Sequence, residues 1–171
     1  VRRRPGRYGR HLGIRTGDRV MAHTSLRAVG VSRGEMPNLL RAYETVLGPE
    51  GAVYFPTHTY CQKGSGRPPF HVDMPCHPLI GKWPEWARQQ PGAVRSLHPT
   101  HSTSGIGADV HAVLDGHEHC EPVGYGSPHD TLRVHGGKVL LIGCGLESCT
   151  LLHLAELMAD VPYLHICPPG L

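Results

Sequence analysis

The segment LESCTLLHLAELMAD, residues 146–160, sets His153, Glu156 and Asp160 at i, i+3 and i+7 within an otherwise apolar run. On a helix this spacing puts the three side chains on one flank, and Leu151, Leu152, Ala155 and Met158 on an apolar side. An imidazole has an ordinary pKa of about 6.5, so near neutral pH much of it is free to take a proton from an amine or a thiol. A carboxylate one turn away orients the ring and stabilises the imidazolium, and Glu156 is the residue so placed. His/Glu pairs at this spacing also decorate surface helices with no catalytic role, so spacing alone leaves both readings open.

The elements that must hold this pair are legible around it. KVLLIGCG, residues 138–145, is the clearest buried strand of the chain, a continuous apolar run that ends in glycines. It feeds a helix over 149–160 through a turn carrying Gly143, Gly145 and Ser148, so His153 sits just beyond the carboxyl end of a strand, where ligands lie in open α/β sheets. DRVMAHTSL, from Asp18, reads as a buried strand ending in a loop, and MPNLLRAYETVLG as a helix with Pro37 at its start and Gly48 at its stop. GAVYFP is a short strand stopped by Pro56. The Pro/Gly-rich stretch CQKGSGRPPFHVDMPCHP is a long loop suited to form a lid or binding wall. KWPEWARQQPG, ADVHAVLDGH and HDTLRVHGG read as short helices, and VRSLHPTHSTSGIG as strand-like pieces broken at Pro99. Strands alternating with helices predict an α/β fold, a mixed sheet flanked by helices, in one domain over 1–171.

Other clusters invite chemistry. HTSLRAVG, a strand end with two hydroxyls and an arginine, can offer Ser25, Arg27 and backbone N–H groups to a phosphate or a pantetheine chain, although it carries no Walker or dinucleotide pattern. RSLHPTHS gathers Arg95, Ser96, His98, Thr100, His101 and Ser102 around a proline bend. Cys144 and Cys149 beside His153 suggest a thiol nucleophile, but no Asn or Asp motif accompanies them, and packing thiols explain them as well. The chain holds 14 histidines and 6 cysteines. His117, His119 and Cys120, with Cys76 and His77, raise the alternative of a His/Cys zinc protein, yet no spacing matches a recognised ligand pair and there is no C-x-x-C.

Composition narrows the classes. A hydrophobic fraction of 39% with 18% charged residues, 22 Gly and 16 Pro marks a loop-rich globular chain. The formal charge of +3 owes much to residues 1–10, VRRRPGRYGR, a basic arm expected to be solvated and flexible, with no nucleic-acid role assigned. No apolar segment follows it to serve as a signal peptide or membrane anchor, so a cytoplasmic protein is expected, with reduced thiols.

Taken together, VMAHTSLRAVG, YFPTHTY, VRSLHPTHSTSGIG, GYGSPHDTL and KVLLIGCGLESCTLLHLAELMADVPY resemble the aminoglycoside 3-N-acetyltransferases in order and spacing, from about residue 11 to 166. The resemblance implies an acetyl-CoA-dependent enzyme that acetylates the 3-amino group of an aminoglycoside antibiotic and so confers resistance. It implies coenzyme A contacts at His23, Thr24, Ser25, Arg27, Ala28 and Val29, and at Arg95, Ser96, Pro99, Thr100 and His101. It makes His153 the general base, acting by direct transfer in a ternary complex with backbone N–H groups on the oxyanion. Tyr60 and Asp73 are the acceptor-side candidates. The family continues beyond VPY with a part that supplies a glutamate to the catalytic histidine and much of the acceptor wall. The C-terminal part is therefore missing here, and Glu156 or Asp160 substitutes, or the chain is a fragment, or its activity is changed or lost. The alternatives are a non-catalytic CoA-binding homologue and an acyltransferase for another small amine. Uncovered apolar surface in the shortened sandwich predicts a homodimer.

Overall fold

The computed structural model describes residues 12–61 and 64–165. The basic arm of residues 1–10 and the final segment with Cys167 lie outside the described residues.

Five strands form one mixed sheet, β1 Arg19–Thr24, β2 Ala52–Pro56, β3 Val94–Arg95, β4 Thr103–Gly107 and β5 Lys138–Ile142, in the order β3-β4-β2-β1-β5. Strands β1, β2 and β5 run parallel, and β4 pairs antiparallel to both β2 and β3. The mixed α/β architecture is the one expected from the sequence.

Alternation along the central strands divides the core in two. Val20 and Ala22 of β1, with Val53 and Phe55 of β2, face one side, where they meet Ile14, Met36, Tyr43, Leu47, Trp83 and Ala87. These last residues come mainly from α1 (Met36–Leu47) and α2 (Lys82–Ala87). Met21, Ala52 and Tyr54 face the other side, against Val110, Val113 and Leu114 of α3 (Val110–Leu114) and Leu132 of α4 (Pro128–Val134). Trp83 is fully buried, its ring 6.1 Å from that of Tyr43 and 6.3 Å from that of Phe55.

Two expectations are corrected. KVLLI is not a fully buried strand: all five residues of β5 are only half-buried, because β5 is the outer strand of the described sheet with β1 on one side only. The last helix, α5, spans Leu151–Met158 rather than 149–160, and its buried residue is Leu154. The apolar side expected at Leu151, Leu152, Ala155 and Met158 stays partly open, with Leu152 40% and Met158 45% exposed. Apolar spacing identifies what a helix can bury, but the main packing partner of α5 among the described elements is α4. No helix among the described residues is long and apolar enough to cross a membrane.

Candidate active site cleft

The carboxyl ends of the three parallel strands open into one cleft of about 740 Å³. Its floor is His23, Thr24 and Ser25 from the end of β1, Pro56 and His58 beyond β2, and Gly143 and Cys144 beyond β5. One wall is Leu79, Ile80, Gly81 and Pro84. The opposite wall is the approach to α5 and its first two turns, including Glu147, Leu152, His153 and Glu156. The volume falls within the range of small-molecule sites, and the position is the strand-end crevice typical of α/β folds.

His153 reaches the cleft from an exposed position, its side chain 66% accessible. Its Nδ1 lies 3.0 Å from Glu156 Oε2, and the other carboxylate oxygen accepts a 2.7 Å hydrogen bond from the Tyr163 hydroxyl. The Tyr163 hydroxyl, and then His153, hold the Glu156 carboxyl below the ordinary carboxylate range. An ionised Glu156 fixed by two partners accepts the Nδ1 proton of His153, which leaves Nε2 as the nitrogen with a free lone pair. Asp160 lies past the end of α5 at φ 48°.

The inner wall contrasts with this outer pair. His23 and His58 are 5% and 3% exposed, and the Nε2 of each has no partner among the described residues. Burial lowers the His23 pKa to about 4 and drives that of His58 well below the ordinary value. His101 follows at about 4, through burial and then the neighbouring His98 and His153. The rings of His58 and His101 are 4.5 Å apart, and Tyr60 meets His58, His77 and His101 edge-on. Behind them His129 is 1% exposed with neither ring nitrogen partnered, and burial takes its pKa to about 3. Tyr60 holds φ at 53°, a left-handed conformation that costs a non-glycine residue about 1 kcal/mol or more and recurs at functional sites.

Of the residues expected to contact coenzyme A, the cleft gathers His23, Thr24, Ser25 and His101. Arg27, Ala28 and Val29 lie exposed on the turn after β1, where the Gly143 backbone packs so closely that a Cβ there would stand 2.9 Å from both Ala28 and Val29 side chains. Arg95 is engaged within the chain. Its guanidinium donates to the carbonyls of Val72, Met74 and Thr57 and to Ser102 Oγ, strapping the 72–74 segment of the long loop to the sheet. Ser96 Oγ bonds His117 Nδ1 and accepts from Thr103 N–H. The carbonyl of Pro99 accepts from Cys61 N–H and Thr59 Oγ1, and Thr100 Oγ1 bridges His98 and His101.

On the acceptor side, Tyr60 lines the cleft, whereas Asp73 is exposed outside it, 3.4 Å from His71. The carboxylates that do line the cleft are Glu156 and Glu147, the latter turned back onto Gly145 N–H. Glu147 and His58 are cleft residues without a sequence expectation: an acidic residue in the turn after the last strand is the available signal for Glu147, and nothing in the spacing marks His58. Cys144 and Cys149 also line the cleft, and the Cys144 thiol points to the His23 carbonyl. Among the described residues no group of three or more His, Cys, Asp or Glu can hold a metal ion. His117 instead bonds Ser96 and the Pro122 carbonyl.

Residues 21–170 match the family described as aminoglycoside 3-N-acetyltransferase. The chain belongs to that family. It is 34% identical over 172 residues to aminoglycoside N(3)-acetyltransferase VIII of Streptomyces fradiae, covering 88% of this chain and 58% of that relative. It superposes on an AAC-IIIb binary complex with CoASH at a TM-score of 0.82 and 31% identity, over 92% of this chain and 65% of that one. With sisomicin-bound AAC-VIa the TM-score is 0.79 at 33% identity, over 89% and 62%. The chain thus spans about three fifths of the family members it matches.

Proposed function

We propose that this chain transfers the acetyl group of acetyl-CoA to the 3-amino group of an aminoglycoside, with His153 as general base, and so inactivates the antibiotic. The observation that carries the reading is the His153–Glu156–Tyr163 chain standing over a cleft at the carboxyl ends of three parallel strands. Glu156 holds the Nδ1 proton of His153, and Nε2 takes a proton from the acceptor amine as that amine attacks the thioester carbonyl. The carbonyl bond re-forms as the thiolate departs and is protonated. No acyl-enzyme is required, so Cys144 and Cys149 need not act.

The cleft suits both substrates. His23, Thr24 and Ser25 offer polar groups to the amide-rich arm of acetyl-CoA, and Leu79, Ile80, Leu146 and Leu152 offer apolar surface to its methylenes. CoASH in the AAC-IIIb complex supports acetyl-CoA as the donor. The chain is cationic as a whole, at +3, but among the described residues the cleft lining carries Glu147 and Glu156 and no Lys or Arg. That local sign favours the ammonium groups of an aminoglycoside, the ligand class of the AAC-VIa complex. Tyr60 and these two carboxylates are the acceptor-side groups of the proposal. It includes a cytoplasmic location, where acetyl-CoA is made, and a homodimer through the exposed Leu157 and Met158 of α5.

The test is acetyl-CoA turnover against sisomicin, kanamycin and small amines, with His153→Ala alongside. Turnover of an aminoglycoside that His153→Ala abolishes supports the proposal. Equal turnover by both proteins removes His153 as the base. Thermal protection by CoA without any transfer leaves only a binding protein, and light scattering that finds a monomer removes the dimer.

A further inference from the structure

The cleft contains a polar atom that the mechanism above leaves unused. His58 follows β2 on the inner wall, lines the cleft and is 3% exposed, and its Nε2 has no hydrogen-bond partner among the described residues. A buried ring nitrogen without a partner, on a residue that lines the space a ligand fills, calls for a partner. Its tautomer decides which kind.

The other nitrogen, Nδ1, lies 3.3 Å from the hydroxyl of Tyr60. Burial raises the pKa of Tyr60, so the phenol keeps its proton near neutral pH. A phenol O–H is a stronger acid than an imidazole N–H, so Tyr60 donates and Nδ1 accepts. The imidazole proton is then on Nε2, and the unpartnered atom is a donor. The left-handed backbone at Tyr60 and the packing of its ring against His58, His77 and His101 keep that hydroxyl in place.

We infer that His58 Nε2–H is a side-chain oxyanion donor, binding the thioester carbonyl oxygen of acetyl-CoA and the negative charge that oxygen gains on attack by the amine. This inference rests on the acetyl-transfer reading. As the N–C bond forms, the carbonyl π pair moves onto oxygen, where His58 holds it by a hydrogen bond without giving up its proton. When that pair returns, the C–S bond breaks and the thiolate leaves with its electrons. Donor and base are divided between two imidazoles, His58 keeping its proton and His153 collecting one. The His101 ring packs against that of His58, and burial, followed by the neighbouring His98 and His153, keeps it neutral. Tyr60 becomes a positioning residue that sets the His58 tautomer.

Nitrogen-15 NMR of the imidazoles of the intact chain tests this without turnover, the His58 signal being assigned by its loss in His58→Phe. The expected result is an Nε2–H tautomer whose proton resonance moves on adding acetyl-CoA and stays in place on adding CoASH, which has no acetyl carbonyl. In the transfer assay, His58→Phe is expected to lower kcat on the order of 100-fold with little change in KM for acetyl-CoA, as loss of one oxyanion donor does. His58→Gln, which retains an N–H donor, is expected to recover part of that loss, and Tyr60→Phe to lose less than His58→Phe. An Nδ1–H tautomer, a resonance that responds equally to CoASH, or a His58→Phe protein as fast as the parent overturns the assignment while leaving the general-base reading intact. A parent chain that transfers no acetyl group to any amine overturns both. Should His58→Phe fail to fold, the parent spectra and the Gln variant still decide.

Discussion

Histidines occupy two faces of one cleft in opposite states. On the outer face His153 is 66% exposed and tied to an ionised Glu156. On the inner wall and behind it, His23, His58 and His129 are sealed, with orphaned ring nitrogens and depressed pKa values. An exposed imidazole with a carboxylate partner can gain and lose protons cheaply. A buried one without a carboxylate is held neutral and works through a fixed N–H or lone pair. In the proposed reaction the same residue type serves as a carrier of protons on one face and as a fixed dipole on the other.

Acid should break this contrast most severely. His23, His101 and His117 have folded pKa values of about 4 and His129 of about 3, all through burial. Their unfolded counterparts titrate near 6.5, so below that pH the unfolded chain binds more protons and stability falls as pH drops toward 4. A shift from 6.5 to 4 is worth about 3 kcal/mol per imidazole, so charging all four is comparable to the roughly 5–15 kcal/mol that holds a domain together. Urea midpoints are expected to be flat above about pH 7 and to decline steadily below 6.5, with unfolding before pH 4; a midpoint constant from pH 7 to 4.5 would contradict the buried state of the inner wall.

His153→Ala comes next. Transfer is expected to drop about 1000-fold, roughly 4 kcal/mol in the barrier, while thermal stability changes by less than about 0.5 kcal/mol because the side chain is exposed. Arg95→Ala should do the reverse, costing about 3 kcal/mol in urea titrations by freeing the carbonyls of Thr57, Val72 and Met74. Glu156→Gln keeps the size of the orienting group and loses its charge. A drop of about tenfold in kcat is expected in the transfer assay at neutral pH, as the ring loses its charged orienting partner. The smallest effect is expected for His129→Leu, within about 1 kcal/mol of the parent at pH 7, since an apolar side chain of similar size replaces two unpartnered polar atoms. Its informative measurement is the acid limb, which should flatten relative to the parent.

The parts of the molecule legible in the sequence were those governed by local rules. Strands β1 and β2, α1 with its Pro37 start and Gly48 stop, and the strand–turn–helix that carries His153 all follow from periodicity and chain punctuation. The errors are tertiary. KVLLI has the composition of an interior strand, but its place at the end of the sheet order leaves it half-open. Asp73 is the nearest carboxylate along the chain, yet the loop carries it outside the cleft, and Glu147 lines the cleft by way of a turn. Arg95 and Ser96 belong to a donor-rich stretch that looks made for a ligand, and the fold spends those donors on its own carbonyls and on His117. His58 has no periodicity to betray it, because its importance comes from what fails to surround Nε2 once three strands converge.

The strap formed by Arg95 has a consequence for how the cleft responds to its medium. A guanidinium stays charged at every pH a cell meets, and its partners here are carbonyls and a hydroxyl, none of which titrates. The long loop is therefore moored by a fastening indifferent to acidity, while the imidazoles facing the ligand are not. Mild acid should silence the chemistry of the cleft before it lets the vessel around it come apart.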